Sequence, residues 1–552
     1  MSAFVPVRQR VAHCLTFIMQ SAAACAFGLG AINHPARAAI PNKTLVFCAQ
    51  GAPEGFDPGL YTGTYTQNAA SMTIYNRLIE IDFERGATKL TPSLAERWEI
   101  SEDGRAYTFY LRRGVKFHTT PWFKPARELN ADDVLFTFNR MRDPSMPFRR
   151  AYPTEFPYWH DTGLNRIVQK IEALGADRMA VRFTLKEPNA TFLSNVAIGA
   201  FSILSAEYAT QLLKEGKASE INQKPVGTGP FIFRSYTKDA TIRFAGNPDY
   251  WKPEEVRLSK LVFAITLDPA VRLQKLRQNE CQVSANPRPV DLVVLKSDPN
   301  IEILSGPSLN LIQLAYNVSH KPLDDPRVRR ALGMAIDKKA ILQAVFEGRA
   351  QSVAAPMPPS QWSYDKSLRD APRDLKKAKD LLAQSGYPDG FTIKFWHHPK
   401  PGKNPNPRLM AEMIQADWAK IGVKAELMTY EFGEYLKRAH SGEHDVMTVI
   451  WLSDNGDPDN WLTPNLGCSA VRGSNFSKWC DPSFEKVIQQ AVRTTDIQQR
   501  TRLYREAQRI FKRAQPFTPL FSVIEHQPIR KNVKNFKIDP FGHMVFNGVG
   551  LE

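Results

Sequence analysis

The densest group of polar side chains in the sequence is Ser453-Asp454-Asn455-Gly456-Asp457-Pro458-Asp459-Asn460. It directly follows the apolar run 446–452, so Asp454 is expected at a strand end, partly buried. A carboxylate in that position needs a cation or several hydrogen-bond donors. Asp454 and Asn455 are therefore candidate ligand contacts. The plainer alternative is an Asx-rich turn. A calcium loop fits poorly, because the twelfth residue from Asp454 is Asn465 rather than Glu, and Pro458 interrupts the run. Trp451 and Phe432 lie beside the same strand ends and are candidates to wall a pocket, with core packing as the alternative for each.

Other chemistry finds little support. His397 and His398 are adjacent and would point to opposite faces of a strand, a poor geometry for one metal. His440 and His444 straddle Ser441-Gly442, where a helix should end. Gly227-Thr228-Gly229-Pro230 lacks the third glycine of a dinucleotide loop, and Pro230 blocks the helix opening, so it reads as a turn. No Gly-x-Ser-x-Gly elbow, Walker loop or His-Glu-x-x-His motif is present. Catalytic, metal and cofactor chemistry thus have no visible handle in these residues, and none is expected.

The elements that would position the polar loop are legible. From Phe391 to Asn460 the pattern alternates: strand Thr392–His397, helix Arg408–Ile421, strand Lys424–Tyr430, helix Gly433–Ala439, strand Asp445–Leu452. Each crossover has the length of a helical connection, which predicts three parallel strands in one sheet. Ligands in such sheets bind beyond the carboxyl ends of the strands. Those ends are the loop His398–Pro407, the turn Glu431–Phe432 and the loop Ser453–Asn460. Upstream, Asp325-Pro326 predicts a capped helix start with Val328, Ala331, Leu332, Ala335 and Ile336 on one face. Asp337 opens a second helix with Ile341, Leu342, Val345 and Phe346 apolar, closed by Gly348. In the first half, Arg105–Arg112 alternates as a strand, and Lys260–Asp268 is a more continuous apolar one.

Met1–Ala38 reads as a cleavable export signal. Arg8 and Arg10 precede an acid-free apolar stretch, and Ala36-Arg37-Ala38 offers small residues at the cleavage positions. A degenerate lipoprotein box at Cys25 is the alternative. No later segment approaches about 20 apolar residues, so the mature chain is expected to be soluble. The formal net charge of +16 falls to +13 when Arg8, Arg10 and Arg37 leave. The basic residues are scattered rather than clustered with aromatics, which argues against a nucleic-acid partner. Of six cysteines, Cys48, Cys281, Cys468 and Cys480 remain. An even number in an exported chain suggests two disulfides, with three possible pairings. Cys468 and Cys480 are near enough to staple one loop, which leaves Cys48 with Cys281; four buried thiols are the alternative. The mature length exceeds one core, so at least two lobes are expected, joined by crossing strands because no low-complexity linker occurs.

Several segments together resemble the peptide-binding proteins of bacterial ABC importers, solute-binding protein family 5, from about Lys43 to the C-terminus. They are Pro92–Trp98 (PSLAERW), Leu129–Val134 (LNADDV), Pro225–Phe231 (PVGTGPF), Lys321–Asp325 (KPLDD) and Asp454–Asn460 (DNGDPDN). The last of these, with Met410–Lys420 and Ser477–Cys480, is similar to the dipeptide branch. The resemblance implies an α/β, two-lobed Venus-flytrap fold of type II with an extra subdomain in lobe one. Lobe one would be 39–307 with 524–552, and lobe two 308–523. It implies the pairings Cys48–Cys281 and Cys468–Cys480, and Asp454 as the partner of a peptide's α-ammonium. It also places Phe432 near the ligand and takes backbone contacts from Thr62, Gly63 and Thr64. The implied role is a periplasmic, monomeric carrier of short peptides, dipeptides above all, that delivers them to an inner-membrane ABC permease. One departure stands out. The family's carboxylate-binding arginine falls on Pro401, which leaves Lys400 or Lys403 as substitutes without the bidentate fork. Haem, glutathione or antimicrobial-peptide binding is therefore the alternative within the family; Thr119–Phe123 is similar to the antimicrobial-peptide member.

Overall fold

A computed structural model describes residues 42–84, 87–400 and 402–552. The expected export signal, Cys25 and Pro401 lie outside the described residues.

Two lobes are built on one shared sheet. In the first, strand Thr44–Ala49 runs parallel to Lys260–Ile265 and to Val283–Ser284. Lys260–Ile265 in turn pairs antiparallel with Thr241–Gly246. The strand predicted over Lys260–Asp268 ends at Ile265 because Asp268 caps the next helix, its carboxylate accepting from the Val271 amide at 2.9 Å. A separate four-stranded antiparallel sheet contains Ala106–Leu111, as the alternation around Arg105–Arg112 predicts, between Ala95–Ile100 and Ala180–Leu185.

The second lobe holds the predicted strand–helix alternation. Thr392–Trp396 is parallel to Lys424–Met428 and to Val446–Leu452, with helices Pro407–Ala419 and Phe432–His440 as the crossovers. Strand Asn310–Tyr316 completes this half and is buried along its whole length. Its side chains alternate between two apolar clusters. Ile312, Leu314 and Tyr316 join Phe395 and Trp418 on one face, while Leu311 and Ala315 join Trp396 and Trp461 on the other. Covering both faces explains the continuous apolar runs. Each buried Leu, Ile or Phe among them contributes roughly 1.5–3 kcal/mol by leaving water.

Both predicted helices after Asp325 form. Asp325 accepts from the Arg327 amide at 2.7 Å, and Asp337 from the Ala340 amide at 2.9 Å. Val328, Ala331, Leu332, Ala335 and Ile336 are all buried. The second helix stops with Glu347 and Gly348 both at positive φ, at 49° and 78°.

The lobes are joined by crossing strands rather than a tether. The 14-residue strand Phe517–Arg530 pairs with Asn310–Tyr316 through Phe521, then with Ile301–Pro307 from Ile524 onward. Both disulfides are present. Cys48–Cys281 ties strand Thr44–Ala49 to the segment just before strand Val283–Ser284, with Cα atoms 5.7 Å apart; Cys468–Cys480 staples a loop of the second lobe, at 4.7 Å.

Candidate functional site

The carboxyl end of Val446–Leu452 delivers the polar loop to the interface between lobes. Asp454 sits here on the cleft surface. Sequence reasoning put Asp454 partly under protein; instead it stays open to cleft water, because the side chain faces the gap between lobes. Protein nonetheless surrounds it closely. The resulting desolvation raises its pKa above the ordinary carboxylate range, with Asp161 adding to the rise. A hydrogen bond from the Tyr158 phenol, at 3.1 Å, and the nearby His543 ring oppose that rise. No cation forms an ion pair with Asp454 among the described residues.

The rest of the loop holds the lobes in register. Asn455 is buried and donates to the Asn195 side-chain oxygen at 2.7 Å across the interface. Thr88 Oγ1 donates to the Gly456 carbonyl at 3.1 Å. A Cβ on Gly456 would stand 2.6 Å from Thr88 Cγ2, and φ there is +64°, so both the backbone and the close approach require glycine. Asp457 is a framework residue: both its oxygens accept from Arg500 Nη2 at 2.9 Å in the core. Asp459 is half-buried beside the loop and accepts from Thr463 Oγ1 at 2.5 Å; desolvation by the surrounding protein pushes its pKa up to about 7.

Two connected cavities occupy the cleft. The larger, about 800 Å³, is lined by Thr62, Thr64, Tyr158 and Asp454. The smaller, about 340 Å³, is more apolar, with Phe47, Phe263, Phe346 and Phe541 in its walls. Both include Thr64, Leu452, Lys537 and His543. Thr62–Thr64 is placed by a rigid turn. Asp57 caps the turn by accepting from the Gly59 amide, and its two oxygens take the Arg140 guanidinium at 2.6 and 2.7 Å in full burial. Gln67 Nε2 then donates to the Tyr61 carbonyl at 2.9 Å.

The other sequence candidates divide. Lys403 lines the smaller cavity but is ion-paired with Glu525. Lys400, Gly63, Phe432, Trp451 and Asn455 do not line either cavity. Phe432 is 39% exposed and packs against the His398 ring at 5.4 Å. Trp451 packs against the second-lobe core. His398 is held by its own loop, its Nδ1 2.8 Å from the Lys400 carbonyl, and burial lowers its pKa. No group of three metal-holding side chains occurs among the described residues.

Among the cleft residues that sequence reasoning missed are Tyr158 and several of the tail segment 535–548. His543 there pairs with Asp539 at 2.9 Å. No local pattern marks them; only the fold carries them to the site.

Residues 89–473, well over half the chain, match the family model for bacterial extracellular solute-binding proteins, family 5. The chain belongs to this family of solute-binding proteins. Among family relatives, Di/tripeptide-binding protein 1 of Pseudomonas aeruginosa (strain UCBPP-PA14) is 55% identical over 518 residues, covering 93% of this chain and 96% of the relative. The solved structure of HbpA2 from Haemophilus parasuis superposes with a TM-score of 0.87 at 42% identity, covering 92% of this chain and all of that one. The dipeptide binding protein from Pseudoalteromonas sp. SM9913, solved with Met-Leu, gives 0.77 at 36% identity over 92% of this chain and 100% of its own. The two-lobed α/β architecture is therefore that of the family's binding proteins.

Proposed function

We propose that this solute-binding protein captures short peptides with a free amino terminus in the interlobe cleft and hands them to a membrane ABC permease. The observation that carries this reading is the unpaired Asp454 carboxylate at the wall of the larger cavity. Protein crowding around the carboxylate raises its pKa, and no cation pairs with its ionised form among the described residues. A peptide's α-ammonium supplies that charge and hydrogen-bond donors together. The names of the similar proteins, di/tripeptide-binding and dipeptide binding, support the same ligand class.

Thr62 and Thr64 face the same cavity and would meet the peptide backbone. Phe432, Trp451 and Asn455 would act without lining the cavities, Phe432 through the His398 loop and Asn455 through its bond to Asn195. Lobe one would comprise 39–307 with 524–552, and lobe two 308–523. The partner change of the long strand between Phe521 and Ile524 supports this division. A ligand touching both lobes favours the closed state, and that state would dock on the permease. The protein would act as a periplasmic monomer, without catalysis or cofactor.

Native mass spectrometry of freshly purified protein tests the proposal, followed by thermal shift with di-, tri- and oligopeptides. A co-purified peptide, or stabilisation by short peptides, is expected. A bound porphyrin with no peptide response would contradict the proposal.

A further inference from the structure

If Asp454 takes the ammonium end, the carboxylate end still needs a receiver. The cations around the cleft are mostly engaged. Lys403 is held by Glu525, Arg349 pairs with Glu347 at 2.8 Å, and Arg77 pairs with Glu80 at 3.1 Å. Lys252 pairs with Glu255 at 3.2 Å and His543 with Asp539 at 2.9 Å. Arg257 lines only the larger cavity, and its Nε is spent on the Glu254 carbonyl at 3.2 Å.

Lys537 differs from all of these. It lines both cavities, at the junction shared with Thr64, Leu452 and His543. It is exposed, and among the described residues it forms no ion pair and no side-chain hydrogen bond. Its neighbours fix its position: Phe536 is buried against Phe546, their ring centroids 5.9 Å apart, and Ile538 packs over Gly306. The segment is thereby anchored on either side of an unpaired lysine in the wall of both cavities.

We propose that Lys537 receives the α-carboxylate of the bound peptide. This rests on the peptide reading and assigns the other terminus within it. An ammonium on a four-carbon stem can follow a carboxylate over several ångströms, unlike a planar guanidinium that demands one bidentate geometry. The site is accordingly expected to accept di- and tripeptides with little discrimination between them.

The test is calorimetric titration with dialanine, trialanine and dialanine amide. Wild-type protein is expected to bind the amide about tenfold more weakly than the free acid, the loss of one charge-assisted contact. In Lys537→Met the free acid should fall to the level of the amide, while Lys537→Arg should restore the preference for the acid. A Lys537→Met variant that keeps the wild-type acid-to-amide ratio would overturn the assignment. So would wild-type protein that binds acid and amide equally, with the peptide reading left standing. Wild-type protein that binds none of the three would overturn the peptide reading as well.

Discussion

The phenol of Tyr158 donates to the carboxylate of Asp454 at 3.1 Å, joining residues 296 apart in sequence and on opposite lobes. The bond does two things at once. It gives the cleft acid a neutral donor that favours its ionised form, and it spans the gap that ligand would close. Burial raises the phenol's own pKa, with Asp454 adding to the rise, so it remains a donor at neutral pH.

Tyr158→Phe removes that donor without changing the ring. A hydrogen bond to a charged group is worth roughly 1.5–3 kcal/mol, and cleft water should replace part of it. Peptide affinity is therefore expected to fall by about 5- to 30-fold at neutral pH. Titration calorimetry of the variant checks this, and unchanged affinity would remove Tyr158 from the site.

The raised pKa of Asp454 sets a pH dependence for binding. The empty protein holds its proton to higher pH than an ordinary carboxylate, whereas an ammonium-bearing ligand binds only the ionised form well. Affinity should thus be full at neutral pH and decline as pH falls through the raised pKa, with a proton released on binding in that window. Titrations in buffers of different ionisation enthalpy would count that proton. Asp454→Asn should abolish the acid decline.

Asp459 gives a separate effect on stability. Its pKa in the folded protein, about 7, lies above that of an unfolded aspartate, so the folded state binds the proton more tightly. Stability should fall as pH rises from the ordinary carboxylate range through about 7, by roughly 1–4 kcal/mol for this group. In Asp459→Asn that descending contribution should vanish, which chemical denaturation at a series of pH values would register.

Much of the second lobe was legible because its signals are local. Strand and helix periods alternate over short distances, and Asp325-Pro326 and Asp337 mark helix starts with their own side chains. The cleft itself was only half legible. Asp454 could be placed because a strand end and a polar loop adjoin in sequence. Phe432 and Trp451 adjoin the same strand ends, yet neither lines a cavity, since adjacency in sequence does not fix which way a side chain turns. Tyr158, Lys537 and His543 carry no local mark, because only the fold brings them beside Thr64 or Asp454 at the cleft. Lys403 looked available as a free cation, and only the fold brings Glu525 to it.

The central claim is that Asp454 meets a peptide's free amino terminus. Calorimetry with dialanine and N-acetyl-dialanine, on wild type and on Asp454→Asn, tests it most directly. Wild type should bind dialanine and reject the acetylated form, and the variant should bind both weakly and equally. Tight binding of the acetylated peptide by wild type, or undiminished dialanine binding by the variant, would contradict the account.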